Sequence, residues 1–160
     1  MIALCILIML IYNSVIIVRY RKIPVSLSET AYMMSRDVIF KKYWFTLYCI
    51  LTALTILPVL FKYTSSDYQV IPFLLCAGLL FAGFSPAFKS GLDKPVHYVS
   101  AIISFIGFLL YSIFCMPWYW LLGYTILLSG LCMWKRQCYV YFAEVLALIG
   151  LCTWLIVYQL

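Results

Sequence analysis

The chain alternates long apolar runs with short polar interruptions, and the length of the runs is its first structural signal. A membrane-crossing helix needs roughly 20 predominantly apolar residues, and six runs of about that length stand out, at about 1–18, 43–62, 69–88, 96–116, 117–134 and 138–159. The fifth is the shortest. Pro117 parts the fourth and fifth runs so closely that they read as a tight helical hairpin, with Trp118, Tyr119 and Trp120 at its mouth as an interfacial aromatic cluster. Pro58 predicts a kink in the second run.

The longest polar interruption is IPVSLSETAYMMSRDVIFKK, residues 23–42. Ser26 followed three residues later by Glu29 fits a capping box, in which each side chain satisfies an orphan amide of a helix's first turn. Leu27, Ala31, Met34 and Val38 then recur on one helical face, while Ser28, Glu29, Ser35 and Arg36 fall elsewhere on the wheel. The pattern predicts a helix over 27–40 at the cytoplasmic membrane surface, its apolar stripe toward bilayer or bundle and its charges toward water or headgroups.

Composition agrees with that pattern. Hydrophobic residues make up 67% of the 160 and charged residues only 10%, whereas a soluble domain is typically about half apolar. The expectation is an all-α, polytopic membrane bundle, one domain over 1–160, with about six transmembrane helices and a cytoplasmic interfacial helix. The eleven cations set its direction, because Lys and Arg are retained on the cytoplasmic side of short loops. Arg19, Arg21, Lys22, Arg36, Lys41 and Lys42 fall in one loop, Lys89 and Lys94 in another, and Lys135 and Arg136 in a third; Lys62 alone falls on the other side. Both termini are therefore expected outside the cytoplasm of an inner (cytoplasmic) membrane. The first run lacks a basic n-region and reads as a retained anchor. Asn13 and Ser14 weaken it, and without it five spans keep the same orientation.

The seven cysteines lie in or beside apolar runs without CxxC or Cys/His ligand spacing, and read as small buried hydrophobes. No metal site or cofactor is expected. The net charge of +6 arises from cations flanking apolar runs instead of forming a tract, so no nucleic-acid partner is expected; membrane lipids are.

Candidate chemistry comes from polar residues inside the runs. Glu144 is the one carboxylate well within an apolar segment, about 10 Å along the helix from Arg136 at about 1.5 Å per residue. Intramembrane ionisable groups face the bundle interior, pair or become neutral, so Glu144 needs a partner or a proton. His97, Ser100, Ser104, Gly107 and Tyr111 share one face of the fourth run, and Tyr48, Thr52 and Thr55 one face of the second. With Glu29, Ser85 and Lys94 near the same end, these residues outline a ligand- or proton-binding site in which Glu144 is within direct or water-mediated reach of a polar group of the fourth run or the 85–97 connection, His97, Ser100 or Ser104 foremost. Each has an ordinary alternative. Ser100, Ser104 and Gly107 fit a helix-packing surface, His97 a snorkelling boundary residue, and Glu29 a cap.

The run IPVSLSETAY, with the later FSPAFK and KPVHYVSA elements, resembles a family of small bacterial multi-pass membrane proteins of uncharacterised activity. That resemblance implies a membrane bundle and carries no catalytic residues with it. Three functions compete. The first is binding or transport of a small solute, lipid or proton through a cytoplasm-facing polar cavity, with a homo-oligomer supplying the half that a monomer without an inverted repeat lacks. The second is a structural or interaction protein, or an oligomeric pore. The third, a lipid-modifying enzyme with Glu144 and His97 as acid and base, lacks a nucleophile motif and a second deep carboxylate.

Overall fold

A computed structural model describes residues 1–35, 43–85, 93–134 and 136–159. The described residues form seven α-helices: α1 (Ile2–Tyr20), α2 (Leu27–Ser35), α3 (Tyr43–Tyr63), α4 (Val70–Phe84), α5 (Asp93–Phe114), α6 (Trp118–Trp134) and α7 (Tyr139–Gln159). Short 3-10 turns, Ser66–Tyr68 and Arg136–Cys138, lead into α4 and α7. The expected helix at 27–40 is seen over Leu27–Ser35, and its continuation past Ser35 lies outside the described residues.

Local sequence explains several of the boundaries. Pro72 and Pro95 fall in the first turns of α4 and α5, where a missing amide leaves no intrahelical bond unmade. Pro117 stands just before α6 and accepts from the Trp120 amide through its carbonyl at 3.0 Å. α3 runs unbroken through Pro58. At the end of α1, Arg21 turns into the left-handed region with φ 47°, a helix-terminating conformation that glycine usually supplies.

Among the described residues, five stretches are long and apolar enough to cross a membrane: Ile2–Tyr20, Tyr43–Tyr63, Ser66–Phe84, Lys94–Phe114 and Arg136–Tyr158. The expected fifth span corresponds to α6, which has 17 residues. Six spans were expected; among the described residues five helices meet the length a crossing needs, and α6 falls just short of it.

α4 packs most closely against α5 and α3, α1 against α3, and α6 against α7. Small residues permit the tightest of these approaches. A methyl group at Gly78 would lie 2.6 Å from the Ser104 amide nitrogen and 2.7 Å from the Ser100 carbonyl oxygen, both backbone atoms of α5. A methyl group at Gly107 of α5 would lie 2.9 Å from the Leu75 backbone of α4. The helices are also tied by polar bonds that an apolar setting makes worthwhile: Ser104 Oγ donates to the Leu75 carbonyl (2.9 Å) and Thr46 Oγ1 to the Gly83 carbonyl (2.7 Å).

α2 lies across one end of this bundle. Leu27, Ala31 and Met34 are buried, as their spacing predicts, but Ser28 and Thr30 are buried with them. The helix is therefore inserted among its neighbours on more than its apolar stripe.

Gly78→Ala should destabilise the bundle by about 1–3 kcal/mol, because the backbone it faces must move to admit the methyl group. At Gly123 of α6 an added methyl would meet nothing within 4 Å, so Gly123→Ala should be neutral or stabilising by up to about 1 kcal/mol. Unfolding free energies of the two variants in lipid bicelles check the contrast.

Candidate functional site

The residues between α1 and α2 run along one face of α7. Cys138 Sγ donates to the Ile23 carbonyl at 3.6 Å, the Tyr141 amide to the Val25 carbonyl at 2.9 Å, and the Leu27 amide to Glu144 Oε2 at 2.7 Å. On the α7 side these positions recur every three residues, the spacing of a helical face; on the other segment they recur every two, the spacing of extended chain. Two orphan amides are satisfied in the process. Tyr141 lies in the first turn of α7 and is capped by the chain leading to α2. Leu27 opens α2 and is capped by the carboxylate of α7.

The α2 N-terminus is completed by its own residues. Ser26 Oγ accepts from the Glu29 amide at 3.1 Å, as a capping box requires. The Glu29 carboxylate reaches back one residue further than the usual motif, accepting from the Val25 amide at 2.5 Å, and stands 3.9 Å from Lys22 Nζ. Glu29 thus serves as a cap facing Lys22 and is not part of an interior constellation.

The same first turn of α2 makes two further polar ties. His97 on α5 is buried, with Nδ1 3.1 Å from the Ala82 carbonyl of α4 and Nε2 2.7 Å from Ser28 Oγ. A carbonyl oxygen only accepts, so Nδ1 carries a proton, and when the ring is neutral Nε2 accepts from the Ser28 hydroxyl. On the other side, Thr30 Oγ1 donates to the Leu27 carbonyl at 2.5 Å and bonds the Tyr12 hydroxyl of α1, whose ring stacks on Tyr48 of α3 at 4.2 Å. Polar bonds from α1, α5 and α7 thereby converge on one turn of α2.

Glu144 faces the interior, as expected, but its direct partner is the Leu27 amide and not His97, Ser100 or Ser104. The reason is that each of those three has another obligation. Ser100 Oγ donates within its own helix to the Val96 carbonyl (2.6 Å), Ser104 Oγ bridges to α4, and His97 is held by Ser28 and Ala82. The alternative of a snorkelling His97 is likewise replaced by a buried, hydrogen-bonded one. Ser85 is buried where α4 ends, its amide donating to the Phe81 carbonyl at 3.2 Å. Lys94 is exposed.

Below α2 lies a cavity of about 80 Å³ bordered by α2, α3, α4, α5 and α7. Leu27 and Ser28 roof it, Glu144 and Ala147 line it from α7, Tyr48 from α3, and Ser104 from α5. His97, Ser100, Ser85 and Lys94 do not border it. The Tyr48 hydroxyl is buried without a protein partner, and so is Thr52 Oγ1 one turn further along α3. A buried hydroxyl left unpaired costs about 1–3 kcal/mol, so Tyr48 and Thr52 carry an unmet polar demand beside this cavity. Sequence reasoning placed Tyr48 and Thr52 on an inward face but gave them no role, and it counted Asn13 only as a weakness. Asn13 Oδ1 in fact accepts from the Tyr141 hydroxyl at 2.7 Å while its side-chain amide donates to the Met9 carbonyl, which ties α1 to α7.

No family model matches this chain, and neither a curated protein nor a solved structure shows detectable similarity to it.

Ser28→Ala should destabilise the protein by about 0.5–1.5 kcal/mol, since it removes the buried hydroxyl bonded to His97 Nε2. Nitrogen-15 NMR of the His97 ring should show the Nδ1-protonated neutral tautomer in the unmodified protein. An Nε2-protonated ring would contradict the assigned hydrogen-bond directions.

Proposed function

We propose that the chain is a six-span membrane protein with both termini outside the cytoplasm, whose Glu144 binds a proton in a cytoplasm-facing cavity roofed by α2. The five long apolar helices support a membrane setting. α6 completes the set as a short span, with the exposed rings of Trp118 and Tyr119 at its mouth in the interface. The cation pattern supplies the direction.

The observation that carries the functional reading is the placement of Glu144. One carboxylate oxygen is held by the Leu27 amide, and the side chain borders a cavity that Tyr48, whose buried hydroxyl has no partner, also lines. A volume of about 80 Å³ suits a few waters, each needing a site of at least about 10–15 Å³. It is far below the roughly 300–1,000 Å³ of pockets that enclose drug-sized ligands. Among a solute, a lipid and a proton, the cavity therefore favours the proton. Because the carboxylate also caps α2, gain of a proton weakens an ion-to-amide bond and loosens the roof, which couples protonation to access from the cytoplasmic side.

A second reading draws on the same bond. The sealed Glu144–Leu27 contact and the glycine-mediated approach of α4 to α5 also suit a protein whose work is done by helix surfaces, with Glu144 only fastening α2. Substitution separates the two. In proteoliposomes carrying a pH-sensitive dye, the unmodified chain should dissipate an imposed proton gradient, and Glu144→Gln, whose amide oxygen still accepts from Leu27, should fold normally and fail to do so. Equal flux in both proteins, or none in either, would leave the fastening role and remove the proton-binding one.

The direction of insertion has its own check. Cysteines introduced at Ser65 and at Gln137, both exposed, should be labelled by an impermeant reagent from opposite sides, Ser65 from outside. The reverse pattern would overturn the sidedness.

A further inference from the structure

At the α2 end of the bundle, a cleft of about 800 Å³ opens between the end of α1 and the α6–α7 connection. Arg21, Lys22 and Arg136 line it, with Gln137 beside them and no carboxylate among the lining residues. Its side walls are apolar, formed by Ile17 of α1 and by Met133 and Trp134 of α6. Met133 is 86% exposed and Trp134 67%, and Val18, next to Ile17, is 75% exposed. A row of cations thus sits at the end of an uncovered apolar trough.

From this arrangement we infer that the cleft binds the phosphodiester headgroup of an anionic phospholipid, with the acyl chains lying along α1 and α6. The inference rests on the membrane placement proposed above and concerns a different site from Glu144. A guanidinium matches phosphate geometry with two parallel N–H donors, and Arg21 and Arg136 bring one from each wall. Lys22 is partly engaged by Glu29 at 3.9 Å, so the two arginines carry the recognition. Basic pockets between membrane helices at the cytoplasmic face are suited to anionic headgroups by charge and by the apolar surface that continues from them.

The backbone supplies an independent sign. Among the described residues, Arg21 is the one non-glycine with positive φ, at 47°. A side chain in that region is strained, and such positions persist where something other than backbone preference holds them. Glycine would terminate α1 with less strain, and what glycine lacks is the guanidinium that lines the cleft.

The test uses purified full-length protein in detergent, titrated with phosphatidylglycerol or phosphatidylcholine and read by native mass spectrometry. Phosphatidylglycerol should be retained at least about tenfold more tightly than phosphatidylcholine. Arg21→Gly and Arg136→Gln should each abolish most of that preference, while Lys62→Gln, at the other end of the bundle, leaves it intact. Arg21→Gly is chosen because it relaxes the backbone, so it should melt no lower than the unmodified protein while binding anionic lipid less well. Equal retention of the two lipids by the unmodified protein, or an equal loss of preference in Lys62→Gln, would overturn the site. Displacement of phosphatidylglycerol by glycerol phosphate at equal concentration would overturn the lipid as the source of the phosphate. Proton flux through Glu144 does not enter the readout, so this site and the proton-binding reading fail separately.

Discussion

The bond between the Glu144 carboxylate and the Leu27 amide resolves two costs at once. A carboxylate in the interior of an apolar bundle needs a donor or a proton, and the first amides of a buried helix need acceptors that the helix itself does not provide. Each group answers the other at 2.7 Å. The favourable field at a helix N-terminus strengthens the contact, and hydrogen bonds to charged groups contribute about 1.5–3 kcal/mol, more than neutral ones. The position of α2 follows from this pairing, together with the reciprocal cap that Val25 gives to Tyr141.

With the start of α2 fixed against α7, its next residues meet other helices. Ser28 reaches His97 on α5, and Thr30 reaches Tyr12 on α1. His97 passes the connection on to α4 through Ala82. A nine-residue helix is too short to be stable on its own in water, so these ties and the burial of Leu27, Ala31 and Met34 hold it in place. The cavity exists because the roof is supported at its edges. Any change in the charge of Glu144 acts on that support directly, through its bond to the Leu27 amide.

Much of the helical framework was legible in the sequence. The apolar runs predict the long helices to within a few residues, and Ser26 with Glu29 marks the start of α2. That Glu144 turns inward also follows from its cost in an apolar segment. Its partner was not legible, because a backbone amide has no letter in the sequence, and attention fell on the polar side chains nearby. Ser28 looked like the wet side of an amphipathic helix, since a helical wheel does not reveal that other helices close around it. Asn13 showed the same ambiguity: a polar residue in an apolar run reads as a defect until Tyr141 is found opposite it. Lys94 was assigned to the site because it falls near the same end of the bundle, yet it is exposed while His97, three residues on, is buried.

The placement of α2 depends most on the Leu27 amide, and proline can remove that amide alone. Leu27 opens α2, a position at which proline is compatible with a helix, so Leu27→Pro deletes the donor while Leu27→Ala deletes only the side chain. Measured as unfolding free energy in lipid bicelles, Leu27→Pro should be less stable than Leu27→Ala by about 2 kcal/mol, the worth of a hydrogen bond to a charged group. In a Glu144→Leu background that difference should shrink to a few tenths of a kcal/mol, because the acceptor is already gone. A difference of the same size in both backgrounds would show that Glu144 does not hold α2.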